Sequence, residues 1–71
     1  MDQEDRLDLV RRIFALLTGR LEDAAALAGE GQAASISSSR ASGLAEKIRD
    51  ECAGAAVIAE AAAALSVNLA D

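Results

Sequence analysis

From Leu7 onward, apolar residues recur at Leu7, Val10, Phe14, Leu17, Leu21, Ala24 and Ala28, with spacings that alternate between three and four. That rhythm follows the turn of an α-helix, so the seven side chains line one side of a single rod. Thr18 and Gly19 are weak helix formers in mid-pattern, yet the seam passes through them in register. One helix over about residues 4–28 is therefore expected, not two. Asp2, Glu4, Asp5 and Asp8 crowd its first turns, where carboxylates favour the positive end of the helix dipole. A second line, Leu9, Ile13 and Leu16, runs beside the seam, and Leu27 extends it. One neighbouring helix cannot cover both lines, so the breadth of this face implies a bundle of more than two helices.

Gly29 and Gly31 are good terminators, because glycine accepts the left-handed conformation that closes many helices. The run Ser35 to Gly43, "SISSSRASG", follows. Serine is poor inside helices and favoured at their starts, where its hydroxyl caps a free N–H. The spacing predicts a Gly/Ser-rich turn over about 29–37 and a second helix over about 37–68. A serine-rich phosphosite or linker is the weaker reading of the same run. The second seam reads Ala41, Leu44, Ile48, Glu51 or Cys52, Ala55, Ile58 or Ala59, Ala62, Leu65 and Leu69. The expectation is an all-α chain, residues 1–71 forming one antiparallel two-helix hairpin.

Alanine accounts for 18 of the 71 residues and proline for none, which favours helix. At this length a chain is near the lower limit for folding alone. One cysteine excludes an internal disulfide, and without histidine a Cys/His zinc site is out of reach. A single phenylalanine, with no tryptophan or tyrosine, leaves a small aliphatic core. Pairing of two hairpins into a homodimeric four-helix bundle answers this shortage. Its expected interior holds Leu7, Val10, Phe14, Leu17 and Leu21 from the first helix. Leu44, Ile48, Cys52, Ala55, Ala59 and Ala62 come from the second.

The stretch from Glu51 to Ala70, "ECAGAAVIAEAAAALSVNLA", carries only Glu51 and Glu60 as charges. About 20 residues cross a bilayer, but alanine contributes little to insertion, and Glu60 would lie near the bilayer centre. Burial against helices is the better reading. With a turn around residues 29–37, Leu21 is expected opposite Leu44 or Ala45, Leu17 opposite Ile48, and Phe14 opposite Cys52. Val10 falls opposite Ala55 or Ala56, and Leu7 opposite Ala59. The first helix is then exhausted near Ala62 or Ala63. Leu65, Val67 and Leu69 would project beyond it as anchors for another protein, bound through residues 52–70; the rival is that the dimer itself buries the whole run.

Catalysis lacks its commonest general base, histidine. Cys52 has Ile48 and Ala56 one turn away and only Arg49 as a nearby cation, which fits a small buried hydrophobe better than a reactive thiol. Glu60 fits an exposed position better than a functional buried carboxylate. The run "GEGQAAS" lacks the lysine and the preceding strand of a phosphate loop, and no Glu-x-x-His pair of a di-metal bundle is present. No cofactor, metal or small-molecule substrate is expected. Net charge is −5, against the basic face that nucleic acids require. In outline alone the hairpin resembles the ROP family of paired helical hairpins, without a residue motif behind the likeness. That resemblance implies the alternative of a nucleic-acid-binding regulator using an arginine face, Arg11, Arg12 and Arg20. The preferred expectation is a small non-catalytic protein–protein interaction module, a regulator or chaperone-like adaptor. Six arginines to one lysine suggest a GC-rich, bacterial coding sequence. The lone thiol and the acidic start "MDQEDRLD" point to the cytoplasm.

Overall fold

Two signals start the helices as the sequence directs. Asp2 takes an extended conformation, and its carboxylate accepts a hydrogen bond from the Asp5 N–H at 2.9 Å, satisfying one of the free donors of the first turn. Helix α1 then runs over Gln3–Glu30 without a break. At Thr18 the hydroxyl donates to the Phe14 carbonyl at 3.0 Å, a bond within the helix that keeps this weak former in place. Helix α2 spans Ser38–Ser66 and is capped by Ser37, whose Oγ accepts from the Arg40 N–H at 3.1 Å. These details come from a computed structural model, which describes residues 2–67. Leu69, placed in the second seam by the sequence, lies outside the described residues, as does Asn68.

The end of α1 differs from expectation. Gly29 stays helical, and Gly31 caps the helix in a right-handed conformation, φ −66 and ψ −12. No glycine among the described residues has a positive φ. The chain leaves the helix through short turns instead. Gly31 N–H donates to Leu27 O, Gln32 N–H to Gly29 O, and Ala33 N–H to Glu30 O. Ile36 N–H then donates to Ala33 O, and the Ile36 side chain is half-buried in the connection.

The two helices are antiparallel and form a hairpin, a rod with extents of 53 × 17 × 14 Å. Helix α1 has 28 residues and α2 has 29; at 1.5 Å per residue both are about 42–44 Å long. The Glu30–Arg40 ion pair, 2.6 Å, ties the two helices together at the connection. Equal lengths measured from that common end bring their far ends level. The overhang anticipated for Leu65 and Val67 therefore does not form, because α1 extends two residues further toward the turn and starts at Gln3. Leu65 is half-buried and Ala62 is only 2% exposed.

Burial selects one seam from the two that the sequence offers. On α1 the covered apolar positions are Leu7, Leu9, Val10, Ile13, Leu17, Ala24 and Leu27. On α2 they are Leu44, Ile48, Glu51, Ala55, Ile58, Ala62 and Leu65. Phe14 and Leu21, expected inside, are 53% and 50% exposed in the single chain, and Cys52 and Ala59 are also on its surface. Leu7 is half-buried. Helix α1 is thus rolled toward its second apolar line, and α2 presents Glu51 and Ile58 in place of Cys52 and Ala59. Among the described residues only Val10, Ala24, Leu44, Ala55 and Ala62 are buried, and three of the five are alanines.

Gly19 sits in the middle of α1, and a Cβ added there would meet nothing within 4 Å. Glycine in a helix interior costs about 0.8–1.0 kcal/mol relative to alanine. Gly19→Ala should therefore stabilise the protein by about that amount and raise Tm by about 4–8 °C, measured by circular dichroism melting.

Candidate functional site

The seam contains one polar layer. Glu51 occupies a seam position of α2, and its Oε2 stands 3.7 Å from Nη1 of Arg20 on α1. The oxygen is shielded from solvent, yet no donor reaches it within hydrogen-bonding distance. Arg20 lies across the backbone of α2 at Gly54, where an added Cβ would collide with the guanidinium Nη1 and approach its Cζ to 3.1 Å. Glycine at this position makes room for the arginine. The pair is a polar contact between the helices in mid-hairpin, in addition to the Glu30–Arg40 pair at the connection. Since Arg20 is 46% exposed, its attraction to Glu51 is screened by water.

The other arginines do not assemble into a basic surface. Arg12 pairs with Asp8 at 3.1 Å, one turn earlier on the same helix, and Arg49 with Asp50 at 3.8 Å. Arg40 is engaged by Glu30. Arg11 and Arg20 are nine residues apart, which at about 100° per residue points them to opposite sides of α1. The three arginines singled out in the sequence are therefore spread around the helix, and two of them face carboxylates.

Nothing in the described chain encloses a small molecule. A shallow depression is lined by Glu4, Asp5, Leu7, Asp8 and Arg11, all from the first turns of α1, so it is an open patch on a single helix. Among the described residues no group of three or more His, Cys, Asp or Glu side chains could hold a metal ion. No helix there is long and apolar enough to cross a membrane. Cys52 is a free thiol on the surface of the chain, and Glu60 is exposed.

What the hairpin does offer is uncovered apolar surface. Besides Phe14 and Leu21, the exposed large side chains include Leu16, Val57 and Val67, the last 82% exposed. Leu65, placed with Val67 as a partner anchor, is covered in part within the chain. Leu16 and Leu27 belong to the second apolar line, whose width signalled in the sequence that one helix partner would not suffice. The Arg20–Gly54 contact was not anticipated; a glycine in an otherwise alanine-rich helix was its only trace. No protein-family model, curated protein or solved structure matches the chain at a significant level.

Because Glu51 Oε2 is shielded without a hydrogen bond, the carboxylate costs desolvation that a distant arginine does not fully offset. Glu51→Leu is expected to raise the urea midpoint, and a lowered midpoint would mean that the ion pair is a net stabiliser.

Proposed function

We propose that the protein is a non-catalytic protein–protein interaction module, a small regulator or adaptor, whose hairpin pairs with a second copy into a four-helix bundle. The carrying observation is the mismatch between a sparse interior and a large uncovered apolar surface. Five buried residues, three of them alanines, are few for an independent domain. Meanwhile Phe14, Leu16 and Leu21 stand half or more exposed on a single helix.

Surface area supports the same reading. The chain exposes 5075 Å², whereas a folded monomer of its 7.3 kDa exposes about 4,200 Å² by the usual mass scaling. The excess, about 900 Å², is close to the 800 Å² or so that each partner buries in a standard interface. A two-helix rod has only one layer, and a second rod supplies the layer that is missing. A bacterial cytoplasmic setting is part of the proposal, supported by the arginine bias and the lone thiol. The arginine-face alternative draws little support from side chains already paired to carboxylates.

Sedimentation equilibrium at micromolar concentration tests the pairing: the expected species has twice the 7.3 kDa chain mass. A folded, stable monomer would defeat it. Phe14→Ala gives an independent check. With the ring covered by a partner, truncation should cost about 3–5 kcal/mol, read from denaturation at fixed concentration. In an isolated hairpin, where the ring is 53% exposed, the loss would be a fraction of that. Salt-sensitive retardation of mixed RNA or DNA, abolished by Arg12→Glu, would favour the nucleic-acid alternative instead.

A further inference from the structure

The hairpin has two broad faces, one on each side of the seam, and they differ in chemistry. Arg20 and Gly54 meet on one side, which identifies the flanks of α1 and α2 that share a face. Next to the seam on that side run the heptad lines Lys47–Gly54–Ala61 on α2 and Leu9–Leu16–Asp23 on α1. Each of these lines includes a charge. On the opposite side, α1 presents Leu7, Phe14 and Leu21, again seven residues apart, and α2 presents Ala45, Cys52 and Ala59. Neither of these lines contains a charged residue. Large side chains stand on one helix and small ones on the other.

Building on the homodimer reading, we propose that a second copy of this chain docks on the side of Phe14 and Cys52, over the two uncharged lines that flank the seam, with α1 of each copy lying on α2 of the other. A two-fold interface uses the same patch on both copies, so the patch must complement itself. Here Leu21 and Phe14 meet Cys52 and Ala59 of the second copy, in the register that sets Arg20 level with Glu51 and Gly54, Leu7 falls near Ser66, and the reverse contact follows by symmetry. Every large residue then has a small counterpart, the alternation that fills a core at native density. Placing α1 on α1 would set ridge against ridge on one side and leave a gap between the alanine lines on the other. The charged face remains in water, where Lys47, Asp50 and Asp23 are solvated without cost. The surplus area of about 900 Å² per chain matches what a stable dimer buries, so the occupant need be no larger than another hairpin.

Two substitutions of identical chemistry, two residues apart, separate the faces. Ala59→Arg places a charge on the proposed interface, and Ala61→Arg places the same charge on the side of Gly54. The dissociation constant, from sedimentation equilibrium and from the concentration dependence of helicity, should rise about 100-fold or more for Ala59→Arg. For Ala61→Arg it should stay within about threefold of the parent. Sedimentation reads the shift whether or not the separated chain stays folded, and helicity against concentration reads it as well where separation unfolds the chain. A dimer weakened by Ala61→Arg as much as or more than by Ala59→Arg overturns the choice of face while leaving the homodimer intact; a folded parent monomer defeats the homodimer itself. The native thiol reports on topology. With α1 on α2, the two Cys52 residues sit on diagonal helices about 11–14 Å apart, too far for a disulfide. With α2 on α2, the two midpoints of that helix meet at Cys52. Treatment of the dimer with copper–phenanthroline should leave its chains unlinked, and rapid, quantitative interchain disulfide formation would overturn the arrangement.

Discussion

The close but shallow contact between two alanine-rich helices governs everything else about this molecule. Ala24, Ala55 and Ala62 are three of the five buried positions. Small side chains let the backbones approach, but each removes little apolar area from water, and stabilisation scales with that area. The rod is therefore well defined in shape and poor in interior. Its larger aliphatic side chains are left at the flanks, where the single partner helix cannot reach them.

The polar layer at Arg20 and Glu51 bears on which way the helices roll. A seam through Phe14, Leu21, Cys52 and Ala59 is compatible with the sequence as well. The observed roll lays the Arg20 guanidinium over Gly54 while the side chain stays 46% exposed. It also leaves the two lines that flank the seam on the other side, Leu7–Phe14–Leu21 and Ala45–Cys52–Ala59, without a charged residue. An asymmetry of this kind permits a hairpin to have one wet side and one side suited to a dry contact.

The helices themselves were legible in the sequence to within two residues at most ends. Asp2 and Ser37 act as caps through hydrogen bonds that depend only on residues three positions ahead, and local rules of this range can be read from a string. The continuity of α1 through Thr18 and Gly19 was legible too, because the apolar pattern keeps its phase across them. The stop was less so. Gly29 and Gly31 suggested a left-handed closure, but both remain right-handed, since a glycine permits that conformation without demanding it. With α1 carried on to Glu30, Arg20 meets Glu51 and Gly54, more than a turn further along α2 than a connection centred on residue 33 would place it. That shift brings the ends of the helices level.

Periodicity and composition, which are properties of the string, determined that this chain makes two helices, that they carry more apolar surface than one pairing can cover, and that histidine chemistry and an internal disulfide are absent. The tertiary structure decided the phase. An apolar stripe nearly half the circumference of α1 can be met by a partner anywhere along its width, so the pattern that placed Phe14 in the seam and Ile13 beside it did not fix which of them the partner helix covers. The phase observed brings together Arg20 and Gly54, which are far apart in sequence. No local pattern encodes such a contact, because its energy exists only once the two helices lie side by side.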